Sequence, residues 1–428
     1  MSSIEQHVDN KSIFIWNIVG SMANALFSVL ILLIVARGVS EKQADIFSLA
    51  WSVSQLMLII GTFQIRTYQA TDVEGKYTFR QYFYFRIITI ILMMGVSFIY
   101  IVVKKYDVYK STIILIMCMV RAVEAMSDMY EGWFQQKERL DLSGKVIAYR
   151  VVVSCVVFFL TLMISKNLLF ASICLLVSYV ITFIIYNLRY STQVEGIAGY
   201  LIFPKKCKWV ISIFSEGMPV FVNAFLMMSI MNGPKMSIDA AISQGILGDG
   251  VQTVYNILFL PASFINLAYI VFRPLITKMA ICWNGGRRKE LFSILMKIEL
   301  SLIGIGCVLV IGGKLFGISL LSAFYGIELS SYRMELLVII AGGCFYTFAS
   351  VFDNALVAMR KHRILVIAYI LSWIYTQVIM KKMVFVYGVQ GAALTYATAM
   401  LVFLIVAMIL FTIYYVKIVN EEKRGNNK

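Results

Sequence analysis

The chain has 428 residues, of which 60% are hydrophobic and 14% charged, with a mean hydropathy of +0.83 and a formal net charge of +15. A soluble domain is about one quarter charged, so this composition excludes a soluble fold and specifies an all-α polytopic membrane protein. The Lys and Arg residues lie in short loops between apolar runs, where they act as topology signals rather than nucleic-acid contacts, and no nucleic-acid partner is expected.

The apolar runs recur from Ile13 to Val416, and each is long enough to cross the hydrocarbon core; about twelve transmembrane helices follow. Residues 1–12 form a polar tail before a long apolar run that lacks a small-residue cleavage site, so the first helix is expected to stay on the mature chain. The spans of the first half are expected at 13–36, 46–66, 83–103, 111–131, 146–165 and 168–188, making an N-terminal six-helix lobe over 13–188. Span one carries Asn17, Gly20, Ser21, Asn24 and Ser28 on one face, and span two carries Ser48, Ser52 and Gln55. Such stripes face other helices or a water-filled cavity, because acyl chains offer no hydrogen-bond partner.

Charges inside spans are more informative. Arg121, Glu124 and Asp128 stand at i, i+3 and i+7 on span four and share a face. An unpaired arginine near the membrane centre costs roughly 2.5 to 3.5 kcal/mol, so Arg121 needs either Glu124 or an anionic ligand. A structural salt bridge and a binding role both satisfy that need. Arg86, Arg150 and Lys297 lie within a turn or two of a helix end, from which long cationic side chains snorkel to the headgroups.

Residues 189–211 form the longest connector on the side of the N-terminus and separate six spans from six. The second set is expected at 212–232, 250–272, 291–312, 336–358, 364–384 and 388–416, a C-terminal lobe over 212–416, followed by a tail over 417–428. Glu216, Pro219 and Asn223 share a face of span seven, and Gln252, Asn256 and Ser263 stripe span eight. Each half opens with an Asn-Ala helix, at Asn24-Ala25 and Asn223-Ala224, and its second helix ends on an arginine, Arg66 or Arg273, a pattern of internal repetition. Gly313 to Glu335 is the longest loop on the opposite side. Asp353, with Tyr346 and Ser350 on its face, is a candidate for carrying a coupling proton or cation, as are Asp128, Glu124 and Glu216. Lys381 and Lys382 interrupt the last apolar stretch, and Gly388 with Gly391 marks a hairpin between the final two spans.

Lys and Arg concentrate on the side of the N-terminus, in Lys205-Lys206-Cys207-Lys208, Arg287-Arg288-Lys289 and Arg360-Lys361-His362-Arg363, which places both termini in the cytoplasm and these clusters near anionic lipid. Seven cysteines without paired spacing and two histidines, His7 and His362, leave no expectation of a disulfide, a metal site or another cofactor.

The run Met231-Asn232-Gly233-Pro234-Lys235 with Ile238-Asp239, followed by Phe259-Leu260-Pro261, Asn266-Leu267 and Arg273-Pro274-Leu275, resembles polysaccharide flippases of the Wzx type in the multidrug/oligosaccharidyl-lipid/polysaccharide exporter superfamily. Gln135 and Arg139, Asn354-Ala355-Leu356, and Tyr387-Gly388-Val389 with Gly391-Ala392-Ala393 extend the likeness along the chain. The resemblance implies a V-shaped pair of six-helix lobes working by alternating access, a cavity lined by helices one, two, seven and eight, and a bacterial plasma membrane location. It also implies a cargo of polyprenyl-diphosphate-linked oligosaccharide, powered by H+ or Na+ or by the membrane potential, with polysaccharide polymerase machinery as a partner. Arginine grips phosphate oxygens through its planar donors, which makes Arg121, Arg150 and Arg86 the candidate diphosphate ligands, with Asn17, Asn24, Gln55, Asn223 and Asn256 of the polar stripes as further substrate-binding candidates. Three rivals stand beside this reading: a cation-coupled multidrug antiporter with carboxylates dominating its cavity, a lipid II flippase, and an oligosaccharide polymerase. The polymerase would need a large outside loop that the sequence lacks, so no enzyme activity is expected.

Overall fold

The computed structural model describes residues 10–72, 75–194, 208–270 and 272–425, and among these the secondary structure is helical throughout. His7, the run Lys205 to Cys207, and the side chains of Ser263, Arg273 and His362 lie outside what is described. The chain divides into two compact units, Met1–Phe225 and Leu226–Lys428.

In the N-terminal unit, α1 (Asn10–Gly38), α2 (Glu41–Thr62), α4 (Phe79–Lys104), α5 (Val108–Gln136), α6 (Leu140–Ser165) and α7 (Leu168–Thr182) are the long helices. Their starts are written in the sequence. Thr78 closes a capping box with Gln81, and Asp107 and Asn167 accept from the backbone amides of Lys110 and Phe170 at 3.0 Å, satisfying donors a helix leaves open. Helices α1 and α6 cross closely because glycines meet: a Cβ on Gly144 would stand 2.0 Å from the carbonyl oxygen of Trp16.

The second span begins and ends earlier than expected. It stops at Thr62 because Phe63 (φ 47°) and Gln64 (φ 51°) both adopt left-handed backbone, and a short helix α3 (Arg66–Thr71) leaves at a new angle. Two consecutive non-glycine residues in this region are costly, so packing must hold them. Phe63 is buried, with its ring 4.4 Å from that of Phe221 and 5.0 Å from that of Phe214.

A π-helical turn, Phe183–Leu188, follows α7 and runs into α8 (Arg189–Val194), so helix continues into the expected connector. Helix α9 (Lys208–Ser243) comes next, and the division between the two units falls within it.

The C-terminal unit contains α10 (Val251–Ile270), α11 (Arg273–Asn284), α12 (Arg288–Gly312), α13 (Ile318–Tyr325), α14 (Arg333–Ala358) and α15 (Val366–Gly425). The loop expected from Gly313 is helical instead: a π turn, Gly313–Gly317, joins α12 to α13 and carries the apolar run to Tyr325. Exposed Leu315, Phe316 and Leu320 show why, since this segment is as apolar outside as a membrane span. The hairpin marked by Gly388 is present inside α15. Gly388 leaves helical geometry (φ 56°, ψ −130°), and a Cβ on Gly391 would lie 2.0 Å from the carbonyl oxygen of Met383, so the chain doubles back on itself there.

Among the described residues, nine helical segments are long and apolar enough to cross a membrane. The difference from about twelve has identifiable sources. Helix α15 holds two expected spans, α10 contributes a shorter apolar stretch, Val251–Ala262, and α5 is crowded by Arg121, Glu124, Asp128 and Glu131. This is a multi-pass membrane protein.

Candidate functional site

The charges of α5 gather a network from four other elements of the N-terminal unit. Asp128 accepts from Arg66 of α3 at 3.2 Å and from Arg86 of α4 at 3.0 Å. Glu131, 3% exposed, accepts from Arg66 at 2.9 Å and from Arg150 of α6 at 3.1 Å. Arg121 pairs with Glu124 one turn along its own helix, and its guanidinium stacks 4.2 Å from the ring of Trp51 on α2. Four arginines thus share three carboxylates, and the network carries one positive charge in excess.

Neutral groups complete it. Arg86 donates to the carbonyl oxygen of Gly61 at 2.8 Å, and Arg66 reaches Ser143 at 3.3 Å. The Ser127 hydroxyl receives a bond from Arg150 and lies 3.0 Å from Glu131 Oε1 and 3.1 Å from Asn187 Oδ1. Its single proton serves one of those two acceptors at a time. Asn187 enters the network from the π turn after α7, where an extra residue per turn re-aims a side chain.

The packing explains how α3 comes so close to α5, and α4 to α2. A Cβ on Gly132 would meet Gln69 Oε1 at 2.9 Å and Arg66 Cγ at 3.1 Å, and one on Gly61 would meet Met93 Sδ at 2.7 Å. A larger residue at either position would push these side chains aside. The left-handed pair Phe63 and Gln64 then turns Arg66 off the axis of α2 and into the network.

The network faces a cavity of ≈ 240 Å³. Its lining includes Arg66, Arg150, Glu124, Asp128 and Glu131 together with Asn24, Gln64 and Thr62. Charged and amide side chains on one wall, with Leu58, Ile59 and Ile147 beside them, make a polar chamber inside an apolar bundle.

The snorkelling expected of Arg86 and Arg150 does not occur. Both turn inward, 0% and 4% exposed, and pair with the carboxylates of Asp128 and Glu131. Lys297 is exposed. Of the remaining candidates, Arg150, Asn24, Glu124 and Asp128 line the cavity, while Arg86 and Arg121 stand behind it, bonded to its carboxylates. Asn17 is exposed and Gln55 half-buried, and neither lines it. Glu216 is held elsewhere, by Lys76 at 2.6 Å and by the Tyr77 hydroxyl at 2.8 Å. That contact raises the Lys76 ammonium above its usual range. Asn223 is half-buried with Oδ1 unpartnered. In the C-terminal unit, Asn256 is buried, and Asp353 accepts from Tyr369 at 3.2 Å.

Residues that the sequence reading did not single out for the site are Arg66, Ser127, Glu131 and Asn187. Glu131 was within reach, since it stands seven residues after Glu124 on the same face of α5.

No family model matches the chain. Over 399 residues it is 23% identical to a capsular polysaccharide biosynthesis protein of Staphylococcus aureus, CapF, covering 92% of this chain and 96% of that one. Among solved structures, an inward-facing multidrug resistance MATE family transporter of the MOP superfamily superposes with a TM-score of 0.66 at 12% identity, over 94% of this chain and 99% of the other. A mutant of the Vibrio cholerae MATE transporter VcmN gives 0.62 at 10% identity, with 95% and 97% covered. The lipid II flippase MurJ in an inward closed conformation gives 0.63 at 13% identity, with 94% and 87% covered. The charged chamber of the N-terminal unit is therefore set in the fold shared by MATE transporters and MurJ, in a chain similar over nearly its whole length to a capsular polysaccharide biosynthesis protein.

Proposed function

We propose that this chain is an alternating-access flippase that moves a polyprenyl-diphosphate-linked oligosaccharide unit from the cytoplasmic to the outer leaflet of a bacterial plasma membrane, for surface polysaccharide synthesis. Both termini are cytoplasmic in this reading, and the transport step includes no enzymatic chemistry. A polysaccharide polymerase machinery would receive the product. The observation that carries the reading is the chamber where Arg66 and Arg150 face a polar cavity while Arg86 and Arg121 reinforce the carboxylates behind it. End-to-end similarity to a protein of capsule synthesis supports the polysaccharide cargo.

The physics of the step fits such a chamber. Sugar hydroxyls cannot cross hydrocarbon unsatisfied, so a polar cavity replaces water while the lipid tail stays in the bilayer. A diphosphate competes with Asp128 and Glu131 for the guanidinium forks, and the excess positive charge favours that exchange. Moving two negative charges outward down an inside-negative potential yields about 4.6 kcal/mol per 100 mV, so a coupling ion is not required.

Translocation of a polyprenyl-diphosphate-linked oligosaccharide into sealed vesicles tests this. Arg150→Ala and Arg66→Ala should each lower the rate about tenfold or more, equivalent to about 1.4 kcal/mol of lost interaction. Arg150→Lys keeps the charge but not the fork and should fall between. Arg121→Ala, which removes a group behind the cavity wall, should have a smaller effect.

A second reading has its own observation. Three carboxylates line the same cavity against two arginines, which suits a cation-coupled multidrug antiporter using H+ or Na+. Glu124 and Asp128 would carry that ion, with Asp353 and Glu216 as further candidates. Vesicles that accumulate cationic dyes but leave sugar lipids untouched would establish this reading in place of the first.

A further inference from the structure

The elbow between α2 and α3 is held by the first half of α9. Phe63 and Gln64 take left-handed backbone there, at φ 47° and 51°, which non-glycine residues keep only where their surroundings enforce it. What enforces it is a slot on α9. Phe214, Gly217 and Phe221 stand at i, i+3 and i+7 and share a face. The Phe63 ring lies over the glycine and stacks on both aromatic neighbours, 5.0 Å from the Phe214 ring and 4.4 Å from that of Phe221. A Cβ on Gly217 would stand 3.0 Å from Phe63 Cδ1 and 3.2 Å from Ile65 Cδ1, so the slot has no spare room.

The far end of α3 is tied to the same stretch. Asp72, which ends α3, accepts from the backbone amides of Lys76 and Tyr77 at 2.8 and 2.9 Å and from the Tyr82 hydroxyl at 3.0 Å. The two residues so presented reach α9: Lys76 Nζ lies 2.6 Å from Glu216 Oε1, and the Tyr77 hydroxyl lies 2.8 Å from the same oxygen and 2.6 Å from Ser212 Oγ. Residues 212–221 therefore grip α3 at both ends, and Arg66, its first residue, is held against Asp128 and Glu131. This grip is built to let go. The Lys76 and Glu216 side chains are 61% and 30% exposed, so salt screens their pair. Within the gripping stretch, Pro219 has no amide proton to give the Ser215 carbonyl, which weakens α9 there.

We propose that the first half of α9 is a releasable clamp on the α2–α3 elbow, and that the clamp sets whether Arg66 stands in the chamber. Docked, it holds Phe63 and Gln64 in left-handed backbone, and Arg66 reaches Glu131 and Asp128. Released, the elbow relaxes to ordinary backbone and Arg66 withdraws with α3, leaving Arg150 alone among the arginines of the cavity lining. The coupling is reciprocal: an anion that fills the chamber and bonds Arg66 stabilises the docked clamp, and a pull on α9 weakens the chamber's hold on that anion. Helix α9 runs on to Ser243, with residues 208–225 in the N-terminal unit and 226–243 in the other, so the chain itself supplies the lever. Phe63, Gly217 and Glu216 are in this sense positioning residues for Arg66. The proposal rests on the flippase reading for the identity of the anion and not for the clamp.

The test is amide hydrogen exchange of the full-length protein in lipid nanodiscs, comparing residues 66–71 with α1 and α6. Gly217→Val fills the slot and should speed exchange in α3 about tenfold or more while leaving α1 and α6 unchanged. Adding Gln64→Asn, which keeps the amide and accepts left-handed backbone more readily, should restore part of the protection, a rescue that a general packing defect does not give. Unchanged α3 exchange in a folded Gly217→Val, an equal rise in α1 and α6, or no rescue overturns the clamp. If Gly217→Val does not fold, the ion pair decides: Glu216→Lys should speed α3 exchange, the Lys76→Glu and Glu216→Lys double variant should reverse that, and equal exchange in the two overturns the clamp. Radiolabelled inorganic pyrophosphate reads the link to the chamber. It should slow α3 exchange in wild type and bind about tenfold more weakly to Gly217→Val. Equal affinity in both, with α3 exchanging faster in the variant, overturns control of the chamber by the clamp. Failure of pyrophosphate to bind wild type counts against the flippase reading, and the exchange measurements still decide the clamp.

Discussion

The two units handle buried charge in opposite ways. In the N-terminal unit the central carboxylates of the network are shared: Glu131 holds two arginines, Asp128 holds two, and Ser127 bridges Arg150 to its carboxylate. In the C-terminal unit Lys235, Asp353 and Glu299 stand outside any such network among the described residues. Lys235 has an aromatic ring, Asp353 has one tyrosine hydroxyl, and Glu299, 7% exposed, has an Oε1 with no partner. A shared network is stiff, since moving one member leaves others unsatisfied, whereas an isolated charge is free to respond to whatever arrives. The difference divides a prebuilt chamber from sites that a ligand, ion or proton would complete.

The largest expected effect comes from cutting the shared carboxylate. Glu131→Gln leaves Arg66 and Arg150 competing for fewer charges inside the bundle, and breaking a buried pair in this way costs about 3–5 kcal/mol. Unfolding of the detergent-solubilised protein, followed by denaturant or heat, reads it directly. A loss under about 1 kcal/mol, the scale of one neutral hydrogen bond, would mean the network is not the scaffold described. Ser127→Ala is the next step down, at about 1–3 kcal/mol, because it strands donors of Arg150 and an acceptor of Glu131 without removing a charge. Epistasis sharpens the comparison: Ser127→Ala and Glu131→Gln together should cost less than their sum, since they dismantle one unit.

Much of the chamber was legible before the fold was known. Arg121, Glu124 and Asp128 declare a common face by their spacing alone, and burial in lipid makes that face point inward. Glu131 continues the same face but falls at the expected helix end, where a carboxylate reads as an interfacial residue. Helix α5 in fact runs on to Gln136. Arg66 was visible as the last residue of a span, but its role depends on Phe63 and Gln64 taking left-handed backbone, which no local preference of phenylalanine foretells. Asn187 depends on a π turn, and such a turn leaves no mark in hydrophobic periodicity. The hairpin at Gly388 was readable because glycine announces positive φ; the helix through Gly313 to Tyr325 was not, because two glycines in an apolar run suggest a loop as readily as a close-packed turn.

On the C-terminal side, Tyr369→Phe removes the hydrogen bond that Asp353 accepts among the described residues, and about 0.5–1.5 kcal/mol should be lost, less than for Ser127→Ala. If it costs more, Asp353 belongs to a network as stiff as that of the other unit, and the contrast fails.

Glu299→Met has the smallest expected cost and is the sharpest discriminator. A buried carboxyl whose oxygen finds no partner contributes desolvation cost without return, so an apolar side chain of similar length should leave stability unchanged or raise it. The same logic applied to Glu131 predicts the reverse sign, although the two glutamates are almost equally buried, at 3% and 7% exposure. Burial alone would assign them similar effects. Partnership separates them: one carboxylate neutralises two arginines, while the other pairs with no cation among the described residues. Unfolding midpoints of Glu131→Met and Glu299→Met measured side by side therefore test the comparison in one experiment, with a fall expected for the first and no fall for the second. A matching fall in both would show that Glu299 is held by an interaction as strong as that of Glu131, and that the C-terminal unit is prebuilt in the same sense.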